Sequence, residues 1–151
     1  MSTKPQGITP SQTVGPYFAY GLTSQGKYDW NDAFSNNLVT PDTSGERVRV
    51  EGRVFDGDGK VVPDCMLEIW QADAQAPHLV LAVFARGMLL QNYSRIYFGG
   101  EPTNADDPVL ALVPMDRRAT LIAQQANCNG NAVYRLDIHL QGDNEMVFFD
   151  V

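Results

Sequence analysis

Apolar and polar residues alternate between Arg47 and Phe55, where the chain reads RVRVEGRVF. A period of two places alternate side chains on opposite faces of a strand, so the valines predict a buried face and the arginines an exposed face. The turn sequence DGDG follows at 56–59, because glycine after aspartate takes positive φ without steric cost. A second strand is predicted from about Met66 to Gln71. A sheet that buries one face needs a second layer, so this paired unit predicts a β-sandwich.

The rest of the chain supplies further strands and one helix. His78–Phe84 is a nearly continuous apolar run of strand length and predicts a buried strand. Further strands are predicted over Tyr93–Phe98, Ala132–Leu140 and Met146–Val151. Met115–Ala126 carries apolar residues at the 3.6-residue period of an amphipathic helix. The pattern therefore predicts an all-β fold with one short helix.

The first 46 residues are rich in turn signals. Thr9–Phe18 contains two prolines, one of them after glycine, so it predicts an extended arm and not a helix. Six aromatic residues lie between 17 and 34, whereas disordered segments are poor in aromatics. We expect residues 1–46 to form an arm with loops that packs on the domain or on a partner, and residues 47–151 to form the β-sandwich domain.

Composition narrows the function classes. The chain has 151 residues and a formal net charge of −7, from 11 Lys plus Arg and 18 Asp plus Glu. An acidic chain is a poor ligand for phosphate backbones, so no nucleic-acid partner is expected. No apolar run approaches the roughly 20 residues of a membrane span, so no membrane partner is expected. The N-terminus has no apolar leader, which predicts a cytoplasmic protein with Cys65 and Cys128 reduced.

Candidate chemistry is sparse. A metal site needs several ligands that converge, and the sequence has two histidines, His78 and His139, each placed on a strand where a structural role is favoured. The nucleophile-elbow, Walker and dinucleotide-binding glycine patterns do not occur. Arg86 directly follows the buried strand and precedes Gly87, at a strand end where loops carry function. Its guanidinium suits a carboxylate, although a plain surface arginine fits the pattern equally well. Arg47, Arg49 and Arg53 predict a solvated strand face with ion pairs.

Seven stretches, in order along the chain, resemble the intradiol ring-cleaving dioxygenases, and within that family the α chains of the protocatechuate-cleaving enzymes. They read TPSQTVGPYF (9–18), VRVEGRVFDGDG (48–59), LEIWQADA (67–74), APHLVLAVFARG (76–87), RIYF (95–98), DPVLALVPMDRRATLIAQ (107–124) and YRLDIHLQGDNEMVFFD (134–150).

The resemblance implies a β-sandwich in a higher-order α/β oligomer. In that assembly ferric iron is held by two tyrosines and two histidines of the β chain. The α chain has no working iron site, and so no metal ligand and no catalytic residue of its own, but it lends residues to the wall of the β chain's pocket. By this resemblance Thr13, Gly15, Pro16 and Tyr17 match the arm that reaches the pocket. Arg86 matches an arginine that faces the substrate, protocatechuate, a catechol that bears a carboxylate and is cleaved to 3-carboxy-cis,cis-muconate.

Two departures from the family fit a chain without iron. The paired histidines of the β chain, spaced His-x-His, align with His78-Leu79-Val80, and valine cannot bind iron. In the family the segment between WQADA and APH is longer by several strands, and the β chain's ligand tyrosines fall there. In this chain Gln75 runs directly into Ala76, which predicts that strands are missing and that sheet edges are exposed.

Three functions remain open on the sequence. The first is the α subunit of an intradiol dioxygenase, which shapes the pocket of an iron-binding β chain. The second is a metal-free β-sandwich module of this family that binds a small aromatic acid or acts in an interaction. The third, a self-sufficient metalloenzyme, is weak because the ligands are too few. Metal analysis separates the third from the others, and co-purification with a β-like chain separates the first from the second.

Overall fold

The computed structural model describes residues 37–72, 76–128 and 131–150. Their strands are β1 (Val48–Glu51), β2 (Val54–Phe55), β3 (Met66–Ala72), β4 (His78–Phe84), β5 (Asn92–Phe98), β6 (Ile122–Cys128), β7 (Asn131–Arg135) and β8 (Ile138–His139). One α-helix, α1 (Pro108–Leu112), and the 3-10 helices Pro102–Asp106 and Arg118–Leu121 lie between β5 and β6. None of the helices in these ranges is long and apolar enough to cross a membrane.

The strands form two sheets that share one core. The six-stranded sheet has the order β1-β7-β6-β5-β4-β3, and β2 pairs with β8 in a second sheet. The β1–β7, β5–β6 and β2–β8 pairs are parallel, whereas β3–β4, β4–β5 and β6–β7 are antiparallel. Val54 of β2 and Ile138 of β8 belong to the same buried cluster as Leu81 of β4. The fold is therefore an all-β sandwich, as the sequence predicts.

The strand predicted continuously over 47–55 is divided, and the division changes its partners. β1 follows β7 up to the pair Glu51 and Arg135, and β2 then follows β8. A Cβ atom at Gly52 would overlap the carbonyl oxygen of Leu136, so only glycine lets the two backbones approach so closely at this break. The prediction of a single strand over 132–140 is wrong for the same reason, since β7 and β8 are its two halves.

The turn at 56–59 also closes a different hairpin from the predicted one. Val62 N donates to Val54 O at 2.8 Å, and Phe55 forms a bridge with Val61, so the turn pairs β2 with the residues just after it. β3, the strand predicted over 66–71, pairs with β4 instead. Ala72 lies opposite His78 and Met66 opposite Phe84, so β3 and β4 pair along their whole length. Among the described strands, β3 lies at the edge of the six-stranded sheet, next to β4.

The helix predicted over 115–126 is wrong. That segment contains a 3-10 helix and then most of β6, which lies in the sheet between β5 and β7. Within β6, Ala123 is buried whereas Gln124 is exposed, as in a strand that has one face in the core. The helix lies earlier, at 108–112, where the Asp107 side chain accepts from the first free backbone N–H groups.

The last predicted strand, 146–151, is not a regular strand over its described residues. Met146 N donates to His139 O at 2.9 Å and Phe149 N donates to Tyr93 O at 2.8 Å. These single bonds hold an extended segment against β5 and β8 without a continuous ladder. Met146 is 1% exposed, so the segment closes the core even without strand pairing.

The predictions for β4 and β5 are confirmed. β4 spans 78–84 as predicted, and its residues Leu81, Ala82 and Val83 are fully buried. A strand that is buried on both faces lacks alternation, which explains its continuous apolar run. β4 ends just before Arg86 and so fixes the position of the most suggestive residue in the sequence.

Candidate functional site

Arg86 stands at the second position of a tight turn that ends β4. Met88 N donates to Ala85 O at 3.2 Å, and Ala85 is buried, so the start of the turn is anchored in the core. Gly87 takes φ of +91°, a backbone conformation that favours glycine at the third position of a type II turn. The local sequence Ala-Arg-Gly therefore projects the arginine from the end of a buried strand.

The Arg86 side chain is exposed but oriented. Its side chain is 62% exposed, and its Nε lies 3.5 Å from Oδ2 of Asp64, a carboxylate that is 26% exposed. A guanidinium has five N–H donors in a planar fork, so one contact at Nε leaves the two terminal nitrogens able to bind another carboxylate. This arrangement can recognise a planar anion, and the sequence alone did not identify Asp64 as a neighbour.

The other predicted pocket residues lie outside the described residues. Thr13, Gly15, Pro16 and Tyr17 precede residue 37, where the description begins. Their proximity to Arg86 stays a prediction.

His78 occupies a buried position on the first residue of β4. It is 3% exposed, its Nδ1 lies 2.7 Å from Ala76 O, and its ring packs on Tyr97 with centroids 5.5 Å apart. A histidine that holds a backbone carbonyl and an aromatic ring has an ordinary structural role.

The position of the missing second histidine does not fit ferric iron. Val80 shares a face of β4 with His78, since residues two apart on a strand point the same way. Its cross-strand partners are Trp70 on β3 and Arg95 on β5. Valine and tryptophan offer no ligand, and arginine brings a positive charge that disfavours a cation. Across the described ranges, no group of three or more His, Cys, Asp or Glu side chains converges. The donor set described here thus does not fit the family's iron.

His139 also contributes to packing. Its ring stacks on the ring of Phe55, with centroids 4.9 Å apart. The Arg53 guanidinium also contacts this Phe55 ring, 5.2 Å from its centroid. Arg53 donates to Asp137 at 2.9 Å, and this hydrogen bond lowers the pKa of the Asp137 carboxyl. The ion pairs predicted for this strand face are present, because Arg49 also lies 3.0 Å from Glu51.

A groove of about 540 Å³ runs along this charged strand face. It is lined by Glu51, Gly52, Arg53, Arg135, Leu136 and Asp137. Its four charged residues pair with each other across the two strands, since Arg135 lies 3.1 Å from Glu51 and Arg53 lies 2.9 Å from Asp137. The four charges that line the groove therefore compensate each other within this chain.

Sequence reasoning missed a buried polar cluster beside His78. The Tyr97 hydroxyl donates to Oδ1 of Asp107 at 2.9 Å, and Arg95 Nη1 approaches the same hydroxyl at 3.4 Å. Burial raises the pKa of Tyr97 to about 12. Burial also disfavours the charge on Asp107, but hydrogen bonds from Leu110 N, Tyr97 and Val109 N outweigh it and lower its pKa. The signal was an aspartate directly before a proline, which is typical of a helix start.

Cys65, immediately after Asp64, is a free cysteine. Its Sγ lies 3.5 Å from Val62 O, and burial raises the pKa of the thiol, so Cys65 is a packing residue and a weak nucleophile. The side chain of Cys128 lies outside the described side chains.

Comparison with curated proteins gives matches along almost the whole chain. The protocatechuate 3,4-dioxygenase alpha chain of Burkholderia cepacia is 40% identical over 191 positions, which cover 95% of this chain and 97% of that protein. The alpha chain of the same name from Pseudomonas putida is 34% identical over 192 positions, with coverage of 94% and 96%. The beta chain of the Burkholderia cepacia enzyme is 40% identical over 55 positions, covering 36% of this chain and 23% of that one. No model of a protein family matches.

The alignment length confirms that this chain is shorter inside than its relative. The Burkholderia alignment has 191 positions and the chain has 151 residues, so at least 40 positions (191 − 151) fall opposite gaps in this chain. The segment at 73–77 stays the predicted place for this shortening.

Solved structures agree on the fold. The dioxygenase domain of a dioxygenase and carbohydrate-binding fusion from Streptomyces sp. SirexAA-E superimposes with a TM-score of 0.54 at 20% identity, covering 93% of this chain and all of that one. Catechol 1,2-dioxygenase from Acinetobacter sp. ADP1 gives 0.51 at 16% identity, covering 66% and 53%. At these identities the likeness shows the sandwich and carries no argument about the reaction.

Proposed function

Because the chain belongs to the protocatechuate 3,4-dioxygenase alpha-chain family of intradiol dioxygenases, we propose that it is the subunit without iron of such an enzyme. It pairs with an iron-binding β chain in a higher-order oligomer in the cytoplasm. Arg86 and the arm residues Thr13, Gly15, Pro16 and Tyr17 complete the wall of the β chain's pocket. The assembled enzyme cleaves protocatechuate between its two hydroxyl-bearing carbons and yields 3-carboxy-cis,cis-muconate.

One observation carries the proposal: 40% identity to an alpha chain over 97% of that protein's length. The shorter match to a beta chain supports a common origin of the two kinds of subunit and a heteromeric assembly. Identity of this extent fixes the family, while the role of each residue rests on its own chemistry.

The site chemistry divides the work between two chains. Ferric iron, which activates a catechol towards dioxygen in these enzymes, belongs in our proposal to the β chain. In this chain the places of the paired histidines are taken by a buried structural His78 and by Val80. Its contribution is to bind and orient the substrate. Arg86 offers an exposed guanidinium that suits the carboxylate of protocatechuate, an anion at neutral pH.

The internal shortening favours a second candidate. At least 40 positions of the Burkholderia alignment have no counterpart here, and a segment of that length is expected to contribute to the contact with a partner. A chain without them would persist as a metal-free sandwich that binds a small aromatic acid or serves in an interaction. Co-purification separates the two: the subunit elutes with a co-expressed β chain, whereas the free module elutes alone.

We expect the chain expressed alone to contain well under one iron atom per molecule and to be colourless. The reason is that Val80 has replaced a ligand and that the ligand tyrosines have no counterpart in the sequence. Elemental analysis and a visible spectrum measure this directly, with a β chain prepared in parallel as the iron-loaded control. A coloured preparation of this chain alone, with one iron per molecule and tyrosinate-to-iron charge transfer, would falsify the proposed division of labour.

A further inference from the structure

Asp64 precedes β3 and Arg86 follows β4, so the two residues face each other at the end of the strand pair where Met66 lies opposite Phe84. The antiparallel register pairs Met66 with Phe84, and its continuation by two residues places Asp64 opposite Arg86. The observed contact agrees, since Oδ2 of Asp64 lies 3.5 Å from Nε of Arg86. Both residues lie two positions beyond the last strand pair, where their opposite charges attract and restrict each other's side-chain conformations.

The two side chains are unequally anchored. The Asp64 side chain is 26% exposed and that of Arg86 is 62% exposed, so the carboxylate is the better-fixed partner. The backbone before Asp64 is held by Val62 N, which donates to Val54 O at 2.8 Å, and the residue after it is the half-buried Cys65. A fixed carboxylate 3.5 Å from Nε restrains the rotation of a long flexible arginine by charge attraction, and an unrestrained arginine loses much rotamer entropy on binding.

We propose that Asp64 is a positioning residue that holds the Arg86 guanidinium by Nε and so presents its two terminal nitrogens to the carboxylate of the aromatic substrate. This inference rests on the proposed function, because it assigns a partner to the arginine that faces the substrate. It adds a residue on a separate segment, before β3, to the determinants of specificity for a ring that bears a carboxylate.

The direction in which KM changes when Asp64 is replaced separates positioning of Arg86 from simple compensation of its charge. If Asp64 merely weakened the positive field of Arg86, its removal would strengthen the attraction of a carboxylate and lower KM. If it holds the fork in place, its removal frees the side chain and raises KM, since the ordering then has to occur on binding. Asparagine keeps one oxygen acceptor, whereas alanine keeps none. Positioning therefore predicts that KM rises in the order wild type, Asp64→Asn, Asp64→Ala.

The test uses steady-state kinetics of the full chain in complex with an iron-binding β chain. With protocatechuate we expect Asp64→Ala to raise KM about two- to fivefold, the range expected for the coupling of an exposed ion pair, and to leave kcat within about twofold. With catechol, which has no carboxylate, the same substitution is expected to change nothing. In an Arg86→Ala background the substitution is also expected to add nothing, because the group that it positions is gone.

Asp58→Ala is the matched control. Asp58 lies 3.4 Å from Lys60 in an exposed ion pair at the 56–59 turn. Its replacement therefore shows how much the loss of a surface ion pair changes KM when neither residue faces the substrate. An unchanged or lowered KM in Asp64→Ala overturns the inference while leaving the proposed function intact, provided that Arg86→Ala still impairs turnover. An equal rise of KM with protocatechuate and catechol also overturns it, since that result indicates a general structural role. Wild-type kinetics in Arg86→Ala contradict the proposed role of Arg86 itself.

Discussion

We expect Arg86→Ala, in the complex with the iron-binding β chain, to lower kcat/KM for protocatechuate by about one to two orders of magnitude. A hydrogen bond between a guanidinium and a carboxylate contributes roughly 1.5–3 kcal/mol, and each factor of ten corresponds to about 1.4 kcal/mol. Arg86 is suited to such a contact because it extends from a hydrogen-bonded turn and its Nε lies 3.5 Å from the Asp64 carboxylate. Steady-state kinetics with protocatechuate, read beside the iron content of each preparation, measure the effect.

Two variants bracket this result. Arg86→Lys is expected to recover part of the loss, since an ammonium keeps the charge but not the planar fork. Arg49→Ala is the matched control, because Arg49 is also an exposed arginine in an ion pair, at 3.0 Å from Glu51 on β1. An Arg86→Ala complex with wild-type kinetics would make Arg86 a plain surface residue. A loss of iron in the same complex would show that its role is structural.

The second large effect is expected at Asp107, where alanine should destabilise the chain by about 2–4 kcal/mol. Oδ1 of Asp107 accepts from Val109 N at 2.9 Å, Leu110 N at 2.8 Å and the Tyr97 hydroxyl at 2.9 Å, and the residue is 1% exposed. Loss of an N-cap costs about 1 kcal/mol, and a buried hydroxyl left without its acceptor costs about 1–3 kcal/mol. Denaturant unfolding of the full chain measures the change.

Asp106→Ala is the control for this experiment. Asp106 is the neighbouring aspartate, it is exposed, and it lies at the end of the preceding 3-10 helix. Its replacement should change the free energy of unfolding by about 0.5 kcal/mol or less. Similar losses for the two variants would contradict the role assigned to the buried cluster of Tyr97 and Asp107.

The same carboxyl gives the cluster a pH dependence of known sign. The folded state lowers the pKa of Asp107 below its ordinary value of 3.8. Its stabilisation is therefore fully present above that value and is lost as the pH falls through the folded-state pKa. The stability gap between wild type and Asp107→Asn is expected to stay constant at neutral pH and to narrow only below about pH 4.

The strands that were predicted correctly are those whose hydrophobic pattern is clear within the strand itself, without knowledge of its partners. β4 was found over 78–84 because a continuous apolar run bounded by turn residues is typical of a strand buried on both faces. β5 was found from the alternation around 93–98. Arg86 followed from the same reasoning, since its position at a strand end is a local property of the sequence.

The errors arose where tertiary contacts decide the structure. The apolar spacing at 115–126 also suits a 3-10 turn followed by a strand, and pairing of β6 with β5 and β7 selects the strand. The break at Gly52 depends on the Leu136 carbonyl, which lies 84 residues further along the chain. Asp64 was not recognised as a partner of Arg86, because that requires the register of β3 against β4, and the sequence did not predict that pairing.

The most direct test of the central claim is to titrate a purified iron-binding β chain with this chain and to follow oxygen uptake with protocatechuate. We predict that neither chain alone cleaves protocatechuate at the full rate. The rate is expected to rise as this chain is added and to reach a plateau at a fixed molar ratio of the two chains. We also predict that one protocatechuate is consumed per dioxygen and that iron stays with the β chain. A β chain whose activity is complete without this chain and unchanged by its addition would contradict the account.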